Sequence, residues 1–451
     1  MTKTPIILPS ETQSREFDAK LLLAQRLVDR GHPVYVGSRI EIHKQIHRLP
    51  RGLYLAKDIN RSSTRILNIM ARLGIAIAAW DEEAMSIADI PTFQSRRIGP
   101  GNLARIRAIF ALGDQNREAV TTHPDYDGQP IWTTGNPRLD LLRPELRDYY
   151  QPDVAPLRTQ FGDFILINSN FGRLNHFLPQ ERAKQRPDGT WVNIAQGTPE
   201  WWTYRRAVLD SFLDMLPALA ARYPDRQIVV RPHPSESAAL WRDLVSDRPN
   251  VTVLHDGPVH PWILASAVAL HNMCTTGIES YLLGHPVVAY EAVSSDGQRP
   301  SLANALSRRA ASQGELFHLL DDLLAGHPPA FTPADAARAQ LEYEMGPQDG
   351  PLASDRIADL VAENAGAWVG TGKPSALDRT LGHVEARRRK LSKQINSFRP
   401  NHKNSAAYTS SRWPGLVVPD VVARLGRLGA LIGAERTCNV TTPMPQIFRL
   451  D

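Results

Sequence analysis

The stretch HNMCTTGIESYLLGHPVVAYE, residues 271–291, changes structural pattern several times within a short span. It begins as the end of an apolar strand, passes through a small polar turn and continues as a helix that Gly284 ends. After Pro286 a second apolar strand begins. Strands that alternate with helices of this length predict a parallel sheet covered by helices on both faces.

The same alternation continues in both directions and divides the chain into two α/β regions. Strands such as PIILPS, PVYVGS, GLYLAK and GIAIAAW alternate with amphipathic segments in the first region. The second begins near DFILINSNFG (163–172) and adds a helix at roughly 200–222, the strands QIVVRP, VTVLHDG and VALHN, and a helical stretch near 302–325. We predict two Rossmann-like doubly wound domains facing a cleft, at 1–150 and 160–365, and a basic helical or irregular extension at 366–451.

The composition is that of an ordinary globular protein, with 42% hydrophobic and 22% charged residues among 451. A net charge of +5 suits contacts with phosphates or an acidic membrane surface and argues against a nucleic-acid partner. The two cysteines, Cys274 and Cys438, are too few for a disulfide framework or a four-cysteine zinc site. The first residues lack the apolar core of a signal peptide, and no apolar run is long enough to span a membrane, so we expect a cytoplasmic protein.

The segment RPHPSES (231–237) ends the strand QIVV with a histidine between two prolines. Both prolines stop strand pairing, so His233 is held on a stiff turn at the carboxyl end of the strand, where open α/β sheets bind ligands. We predict that Arg231 and His233 bind a nucleotide phosphate. Asn168 and Asn170, in the polar turn INSNFG, are predicted to lie at the same site.

The second predicted phosphate contact is the start of the helix in the stretch quoted first. Thr275, Thr276 and Gly277 lie where that helix begins, and free backbone amides there suit a phosphate. Glu279 is predicted in the first turn, in contact with the ribose. The alternative is an ordinary N-capped helix whose glutamate complements the helix dipole.

Acidic residues follow two strands of the first region, in SETQSRE (10–16) and WDEE (80–83). We predict Glu11, Asp81 and Glu82 as catalytic carboxylates, acting as general base or nucleophile toward a sugar. Arg15 and Arg138 are predicted acceptor contacts. The alternative is that Glu16 and Asp18 are helix-start residues and that one or two of the three acids at 81–83 are merely solvated. Histidine-rich spots lack metal-ligand spacing, so we predict no metal and no cofactor besides the nucleotide-sugar substrate.

With these motifs in view, the chain resembles bacterial surface-carbohydrate biosynthesis proteins of the GT-B glycosyltransferase type. The resemblance rests on ETQSREFDAKLLLA, LPRGLYLAKDI, WDEE, TGNPRLDLL, INSNFG, RPHP and CTTGIESYLLGHPVV, in that order over roughly the first 310 residues. More distantly, the HP turn and the hydroxylated helix start are similar to those of CMP-Kdo-dependent capsule transferases and CDP-glycerol glycerophosphotransferases. This implies that His233, Thr275 and Thr276 bind the nucleotide phosphate, with Glu279 near the ribose. Met273 departs from the pattern, which has a second polar residue there.

These observations predict a metal-independent glycosyltransferase that moves a sugar, Kdo or a related acid sugar among the candidates, from a nucleotide donor to a surface polysaccharide or lipid-linked glycan. A CMP-linked donor is favoured. The alternatives are a CDP-glycerol or ribitol type polyol-phosphate transferase, a non-catalytic GT-B-like scaffold of an assembly complex, and a sugar-nucleotide 2-epimerase. For the basic run EARRRKLSKQ (385–394) and the helix after Pro419, the alternatives are solvated helices packed on the body or an interfacial anchor on the cytoplasmic face of the inner membrane.

Overall fold

The computed structural model describes residues 3–85, 87, 89–194, 197–294, 301–398, 405, 409–410 and 412–451. The chain divides into two compact units: unit 1 holds Met1–Tyr149 and Leu341–Asp451, and unit 2 holds Tyr150–Gln340. Unit 2 is therefore inserted into the sequence of unit 1. This division differs from the predicted one, because residues 341–451 pack as part of unit 1 and not as a separate extension.

The strands are β1 (Ile6–Ser10), β2 (Val34–Ser38), β3 (Leu53–Ala56), β4 (Ala76–Ala79), β5 (Ala108–Ala111), β6 (Ile131–Thr133), β7 (Ile165–Asn168), β8 (Lys184–Gln185), β9 (Trp191–Val192), β10 (Ile228–Arg231), β11 (Val251–Val253), β12 (Val268–His271), β13 (Val287–Tyr290), β14 (Arg308–Ala310), β15 (Val440–Met444) and β16 (Ile447–Leu450).

The α-helices are α1 (Gln13–Asp29), α2 (Arg39–Gln45), α3 (Thr64–Leu73), α4 (Ile90–Arg97), α5 (Asp114–Thr121), α6 (Pro137–Asp140), α7 (Gln151–Phe161), α8 (Pro199–Arg222), α9 (Ala238–Leu244), α10 (Val259–Ala265), α11 (Thr275–Leu282), α12 (Leu302–Ala305), α13 (Gln313–Leu324), α14 (Asp335–Met345), α15 (Ala353–Gly370), α16 (Ala376–Ser397) and α17 (Val418–Ile432). Short 3₁₀-helices lie at Ile46–Arg48, Arg61–Ser63, Leu103–Arg105, Pro144–Tyr150 and Pro179–Glu181.

Unit 1 is built on one sheet with the strand order β15-β16-β2-β1-β3-β4-β5-β6. Strands β1 to β6 are parallel, and the hairpin β15–β16 adds to β2 in the antiparallel sense. Gly37 permits this addition, because a Cβ atom there would lie 2.1 Å from the carbonyl oxygen of Gln446. The strand order reverses between β1 and β3, so the carboxyl ends of these strands form the crevice where such sheets bind ligands.

Unit 2 has a parallel sheet with the strand order β11-β10-β7-β12-β13-β14. The order reverses between β7 and β12. Strands β7, β10, β12 and β13 are buried along their whole length, as continuous apolar runs in a sheet covered on both faces require. The strands β8 and β9 form a separate two-stranded antiparallel ribbon.

The two predicted doubly wound α/β units are confirmed, with the last helices and the C-terminal hairpin belonging to unit 1. The predicted cleft stays a prediction. The helical stretch predicted near 302–325 is interrupted by strand β14, which extends the sheet of unit 2. The apolar side of α17 (Val421, Leu425 and Leu428) is buried, and α17 contacts α1, so this helix does not present it as an interfacial anchor. Within the residues that the structure describes, no helix is long and apolar enough to cross a bilayer.

Candidate functional site

Three loops follow the strands at the point where the order of the unit 2 sheet reverses. They are Asn168–Gly172 after β7, Pro232–Glu236 after β10 and Asn272–Thr276 after β12, and we call them together the carboxyl edge of unit 2. Strands β10 and β12 both pair with β7, so their ends are separated by two strand spacings, about 10 Å. The sequence-predicted groups of unit 2 therefore meet at one edge of one sheet, around the end of β7.

Glu236 joins two of these loops. Its Oε1 atom accepts hydrogen bonds from the Oγ of Ser169 at 2.8 Å, from the backbone N–H of Phe171 at 2.8 Å and from the backbone N–H of His233 at 3.2 Å. Its Oε2 atom accepts one from the Nε1 of Trp241 at 3.1 Å. The carboxylate is buried, and these four donors satisfy it. Glu236 thus fixes the position of His233 relative to β7, a role that sequence reasoning missed.

His233 is exposed at the carboxyl edge, and its tautomer follows from its neighbours. Its Nδ1 atom accepts a hydrogen bond from the backbone N–H of Ser235 at 3.2 Å, and the Oγ of Ser235 lies 2.8 Å from the same nitrogen. A backbone N–H only donates, so in the neutral ring the proton is on Nε2. The outer nitrogen of this histidine is therefore a hydrogen-bond donor.

Arg231, the other predicted phosphate contact of this turn, has a buried side chain. Its guanidinium donates to the carbonyl oxygens of Asp256 at 2.8 Å and Gly257 at 3.1 Å, and it lies 4.8 Å from the ring centroid of Trp262. Burial lowers the pKa of Arg231 to about 10. These contacts hold the turn at 256–257, so we assign Arg231 a structural role.

The predicted asparagines lie at the end of β7 and just beyond it. Asn168 is buried, and its Nδ2 atom has no hydrogen-bond partner among the described residues. Asn170 donates from Nδ2 to the carbonyl oxygen of Met273 at 3.0 Å, and Arg205 donates to the side-chain oxygen of Asn170 at 2.8 Å and to its carbonyl oxygen at 2.9 Å. Asn170 therefore bridges the loops after β7 and β12, with the cationic Arg205 behind it.

Met273, where the family pattern has a polar residue, has an unusual backbone. Its φ is +52°, in the left-handed region that non-glycine residues rarely adopt. Its carbonyl accepts from Asn170, and its N–H donates to the Oδ1 of Asn304 at 2.7 Å. Both backbone groups of Met273 are thus held by side chains, as strained positions beside functional sites often are.

Helix α11 begins at Thr275, as predicted, and its N-cap residue Cys274 provides no side-chain cap. The first amides of a helix lack intrahelical partners, and the dipole favours an anion there. The prediction for Glu279 was wrong in one respect: it is the fifth residue of α11 and not part of the first turn. Its carboxylate is buried, and its Oε2 lies 3.6 Å from the Nε2 of His260, whose Nδ1 lies 3.0 Å from the hydroxyl of Tyr150.

Packing inside unit 2 requires a glycine at position 277. A Cβ atom at this position would lie 2.4 Å from the ring of His271, which is buried and hydrogen-bonded to Ser307 at 2.8 Å. Burial lowers the pKa of His271 to about 3, so the ring is neutral. We predicted that Gly277 allows a ligand to approach. The structure adds a packing requirement that is sufficient by itself.

In unit 1, Glu11 follows β1 at the point where the strand order reverses. Its carboxylate lies 2.9 Å from Arg39, 2.9 Å from Lys57 and 2.6 Å from Arg412, and its side chain is 29% exposed. Burial alone would raise the pKa of Glu11, but the three cations outweigh it and lower the pKa to about 2. Glu11 is therefore an ionised carboxylate at neutral pH and a weak general base.

The other two predicted catalytic carboxylates are buried in ion pairs. Glu82 is 1% exposed, pairs through Oε1 with the Nζ of Lys20 and accepts from the Nε1 of Trp80 at 2.9 Å. Asp81 is 8% exposed and accepts two hydrogen bonds from Arg97, at 2.8 and 2.6 Å. These contacts indicate structural roles for both carboxylates.

The predicted acceptor contacts Arg15 and Arg138 lie in different environments. Arg15 is half exposed, with its Nη1 3.6 Å from the carboxylate of Glu83. Arg138 is buried near the start of α6, and its charge helps to lower the pKa of Glu82. Arg15 is therefore accessible to an acceptor, whereas Arg138 supports the buried ion pair.

Two further features bear on ligands. A cavity of about 610 Å³ in unit 1 is lined by Lys3–Pro5, Gly31–Pro33 and Pro50–Arg51 among others, which precede β1, β2 and β3. It therefore lies at the opposite edge of the sheet from Glu11.

In the described part of the chain, no group of three or more His, Cys, Asp or Glu side chains is arranged to hold a metal ion.

Among known proteins, no family model and no curated protein matches this chain. Solved structures do match it at low identity. The chain is similar to a UDP-GlcNAc 2-epimerase from Methanocaldococcus jannaschii, with 12% identity, a TM-score of 0.49 and coverage of 80% of this chain and 100% of that one. It is also similar to the Neisseria meningitidis UDP-GlcNAc 2-epimerase bound to UDP-GlcNAc, with 13% identity, a TM-score of 0.45 and coverage of 80% and 100%.

A third similar structure is a variant of the wall teichoic acid polymerase TagF, with 12% identity, a TM-score of 0.47 and coverage of 82% of this chain and 90% of that one. Identities and TM-scores of this size transfer no activity to this chain. The site is therefore defined by the geometry described above.

Proposed function

We propose that the carboxyl edge of unit 2 binds the phosphate of a nucleotide-activated sugar, and that the protein is a glycosyltransferase of the GT-B type acting on a surface polysaccharide or lipid-linked glycan. The observation that carries the proposal is the position of His233 and of the start of α11. They follow the two strands that flank β7, where the strand order reverses and doubly wound sheets bind nucleotides.

In this proposal, two kinds of donor converge on the phosphate. His233 presents Nε2–H, because its Nδ1 accepts from Ser235. The first turn of α11 presents the amides of Thr275 and Thr276 with the positive end of the helix dipole. Together they stabilise the negative charge that develops on the leaving phosphate.

Glu11 is the predicted carboxylate best suited to meet a substrate, since its side chain is 29% exposed and those of Asp81 and Glu82 are at most 8% exposed. Its pKa of about 2 favours a role as an ionised nucleophile or charge stabiliser over that of a general base. Arg39 and Lys57 orient this carboxylate.

A CMP-linked donor is our first choice, on the resemblance of the HP turn to that of CMP-sugar-using transferases. A polyol-phosphate transferase with a CDP-linked donor would use the same phosphate site, and so would a sugar-nucleotide 2-epimerase. The proposal rests on the contacts of unit 2 and not on the matched structures.

The first test is the thermal shift of the purified protein with CMP, CDP, UMP, UDP and GDP. We expect cytidine nucleotides to raise the melting temperature, and His233→Ala to abolish the rise, because alanine has no side-chain hydrogen-bond donor. His327→Ala is the matched control, since His327 is also exposed and precedes a proline but follows helix α13.

The outcomes separate the candidates. A shift with uridine or guanosine nucleotides that is lost in His233→Ala would support the same phosphate site but a different nucleotide donor. Transfer of phosphorus from a radiolabelled CDP-polyol to the acceptor identifies a polyol-phosphate transferase, and free product without an acceptor identifies an epimerase. If the folded protein shows no shift with any nucleotide, the proposal is contradicted and the non-catalytic scaffold is the remaining alternative.

A further inference from the structure

Helix α16 carries apolar side chains on its exposed surface. They recur at spacings of three, four or seven residues, which places them on one side of an α-helix. Their exposed fractions range from 40% to 87%. They are Leu377, Leu381, Val384, Leu391 and Ile395 of α16 and Phe398, its C-cap residue, and we call them the apolar stripe.

The stripe faces away from unit 1. The opposite side of α16 packs on α3 and α2, and its buried residues are Gly382 and Ala386. A Cβ at Gly382 would lie 3.0 Å from the side chain of Arg72, which shows how closely the helices approach. An isolated exposed leucine needs no explanation, but an aligned row on a helix that is anchored from behind indicates an interaction surface.

Cations accompany the stripe. Arg388 occupies the stripe position between Val384 and Leu391, and the neighbouring Arg387 is exposed beside it. Both carboxylates of α16 already have partners. Glu385 lies 2.5 Å from Arg72, and Asp378 accepts a hydrogen bond from the hydroxyl of the N-cap residue Ser375. The exposed side of the helix is therefore apolar and positively charged.

These charges argue against a second copy of the chain as the occupant. The spacing of the stripe also suits a helix pair, but full overlap in either orientation would bring Arg388 against the partner's Arg388. The carboxylates of α16 are already engaged by Arg72 and Ser375. An anionic lipid surface, in contrast, accepts apolar side chains between its head groups and phosphates beside the arginines.

We propose that α16 docks unit 1 on an anionic lipid bilayer, with the apolar stripe at the acyl boundary and Arg387 and Arg388 at the phosphates. This inference rests on α16 alone and does not depend on the proposed function. A lipid-facing helix would bring the protein to the surface where lipid-linked glycans are found.

The test is flotation of the full-length protein with vesicles of phosphatidylcholine alone and of phosphatidylcholine with phosphatidylglycerol. We expect at least about tenfold tighter binding to the anionic vesicles. Leu391→Ser/Ile395→Ser removes apolar area and leaves the charges, and Arg387→Gln/Arg388→Gln does the reverse. We expect each double variant to weaken anionic binding by about tenfold or more.

Val422→Ser is the matched control, because Val422 is 48% exposed on α17 and lies outside the stripe. It should bind as the wild type does. All four positions changed in α16 are exposed, so melting temperatures should be retained. Binding that is absent, or that the α16 variants do not change, would overturn the proposal. A dimer that Leu391→Ser/Ile395→Ser dissociates would overturn it in favour of a second copy.

Nucleotide thermal shifts measured on the same variants keep the two proposals apart. Loss of vesicle binding with unchanged nucleotide shifts is the expected result for the α16 variants. Failure of nucleotide binding in the wild type, with intact vesicle binding, would contradict only the proposed function.

Discussion

The Oε1 atom of Glu236 lies 2.8 Å from the Oγ of Ser169, and this contact ties the loop after β10 to the loop after β7. The same oxygen accepts from the backbone N–H of His233. A buried carboxylate therefore sets the position of the loop that carries His233 relative to the end of β7. Its effect on ligands is indirect, through the position of His233.

We expect Glu236→Gln to lower the free energy of unfolding by about 1–3 kcal/mol, because an amide replaces one acceptor oxygen with a donor facing other donors. The nucleotide-induced rise in melting temperature should fall as well, since His233 loses its support. Denaturant unfolding and thermal shift measure the two effects. Glu181→Gln, an exposed residue 3.5 Å from Arg173, should change neither. Unaltered stability in Glu236→Gln would contradict the role we assign.

Gly277→Ala should destabilise the protein by about 1–3 kcal/mol, because the new methyl group would clash with the buried ring of His271. Gly366→Ala is the comparison, since Gly366 lies inside α15 and a methyl group added there would meet nothing within 4 Å beyond its chain neighbours and the backbone of its own helix. There the change should stabilise by up to about 1 kcal/mol. Equal effects of the two substitutions, measured by denaturant unfolding, would mean that His271 moves aside.

Removing the Glu82 charge should be costly for a structural reason. Glu82→Gln removes the carboxylate that pairs directly with the buried Lys20, so we expect a loss of about 3–5 kcal/mol. The double substitution Lys20→Met/Glu82→Leu removes both charges and should recover much of that loss. Denaturant midpoints of the three proteins decide the matter. A stable Glu82→Gln protein that has lost only turnover would restore Glu82 as a catalytic residue.

The stability of unit 1 should depend on the titration of Asp81. Burial raises its pKa from the ordinary 3.8 to about 6, against the lowering effect of Arg97. The folded protein then binds this proton more tightly than the unfolded chain, so the free energy of unfolding decreases as pH rises between these values, by up to about 3 kcal/mol. The side chain of Asp81→Asn does not titrate, so the wild type should lose stability relative to the variant as the pH rises over that range. A constant difference between pH 4 and 6 would contradict the prediction.

The sequence was informative where local pattern and sheet geometry agree. The ends of β1, β4, β10 and β12 were predicted from apolar runs that stop at polar or proline residues, and the start of α11 from the small polar turn before it. Because parallel strands bring their carboxyl ends to one edge, His233 and Thr275 were expected close together. In the structure they follow β10 and β12, the two strands that flank β7.

The remainder depends on contacts between distant residues. The pairing of β16 with β2 joins segments at opposite ends of the sequence, and no local pattern predicts it. Strand β14 has the sequence RRA, which lacks an apolar run. It forms a strand through its pairing with β13. Glu236 was visible in RPHPSES as a carboxylate beside two prolines, but its four donors come from three separate segments.

The insertion of unit 2 into unit 1 has a consequence for the order in which the chain folds during its synthesis. Unit 2 is continuous, so all its strands have been synthesised before the segment from Leu341 onward is made. The sheet of unit 1, in contrast, keeps the edge of β2 uncovered until Ile447–Leu450 arrive to pair with it. An uncovered strand edge invites pairing with other chains. The newly made protein therefore passes through a stage in which its second unit is complete while its first is still open to association.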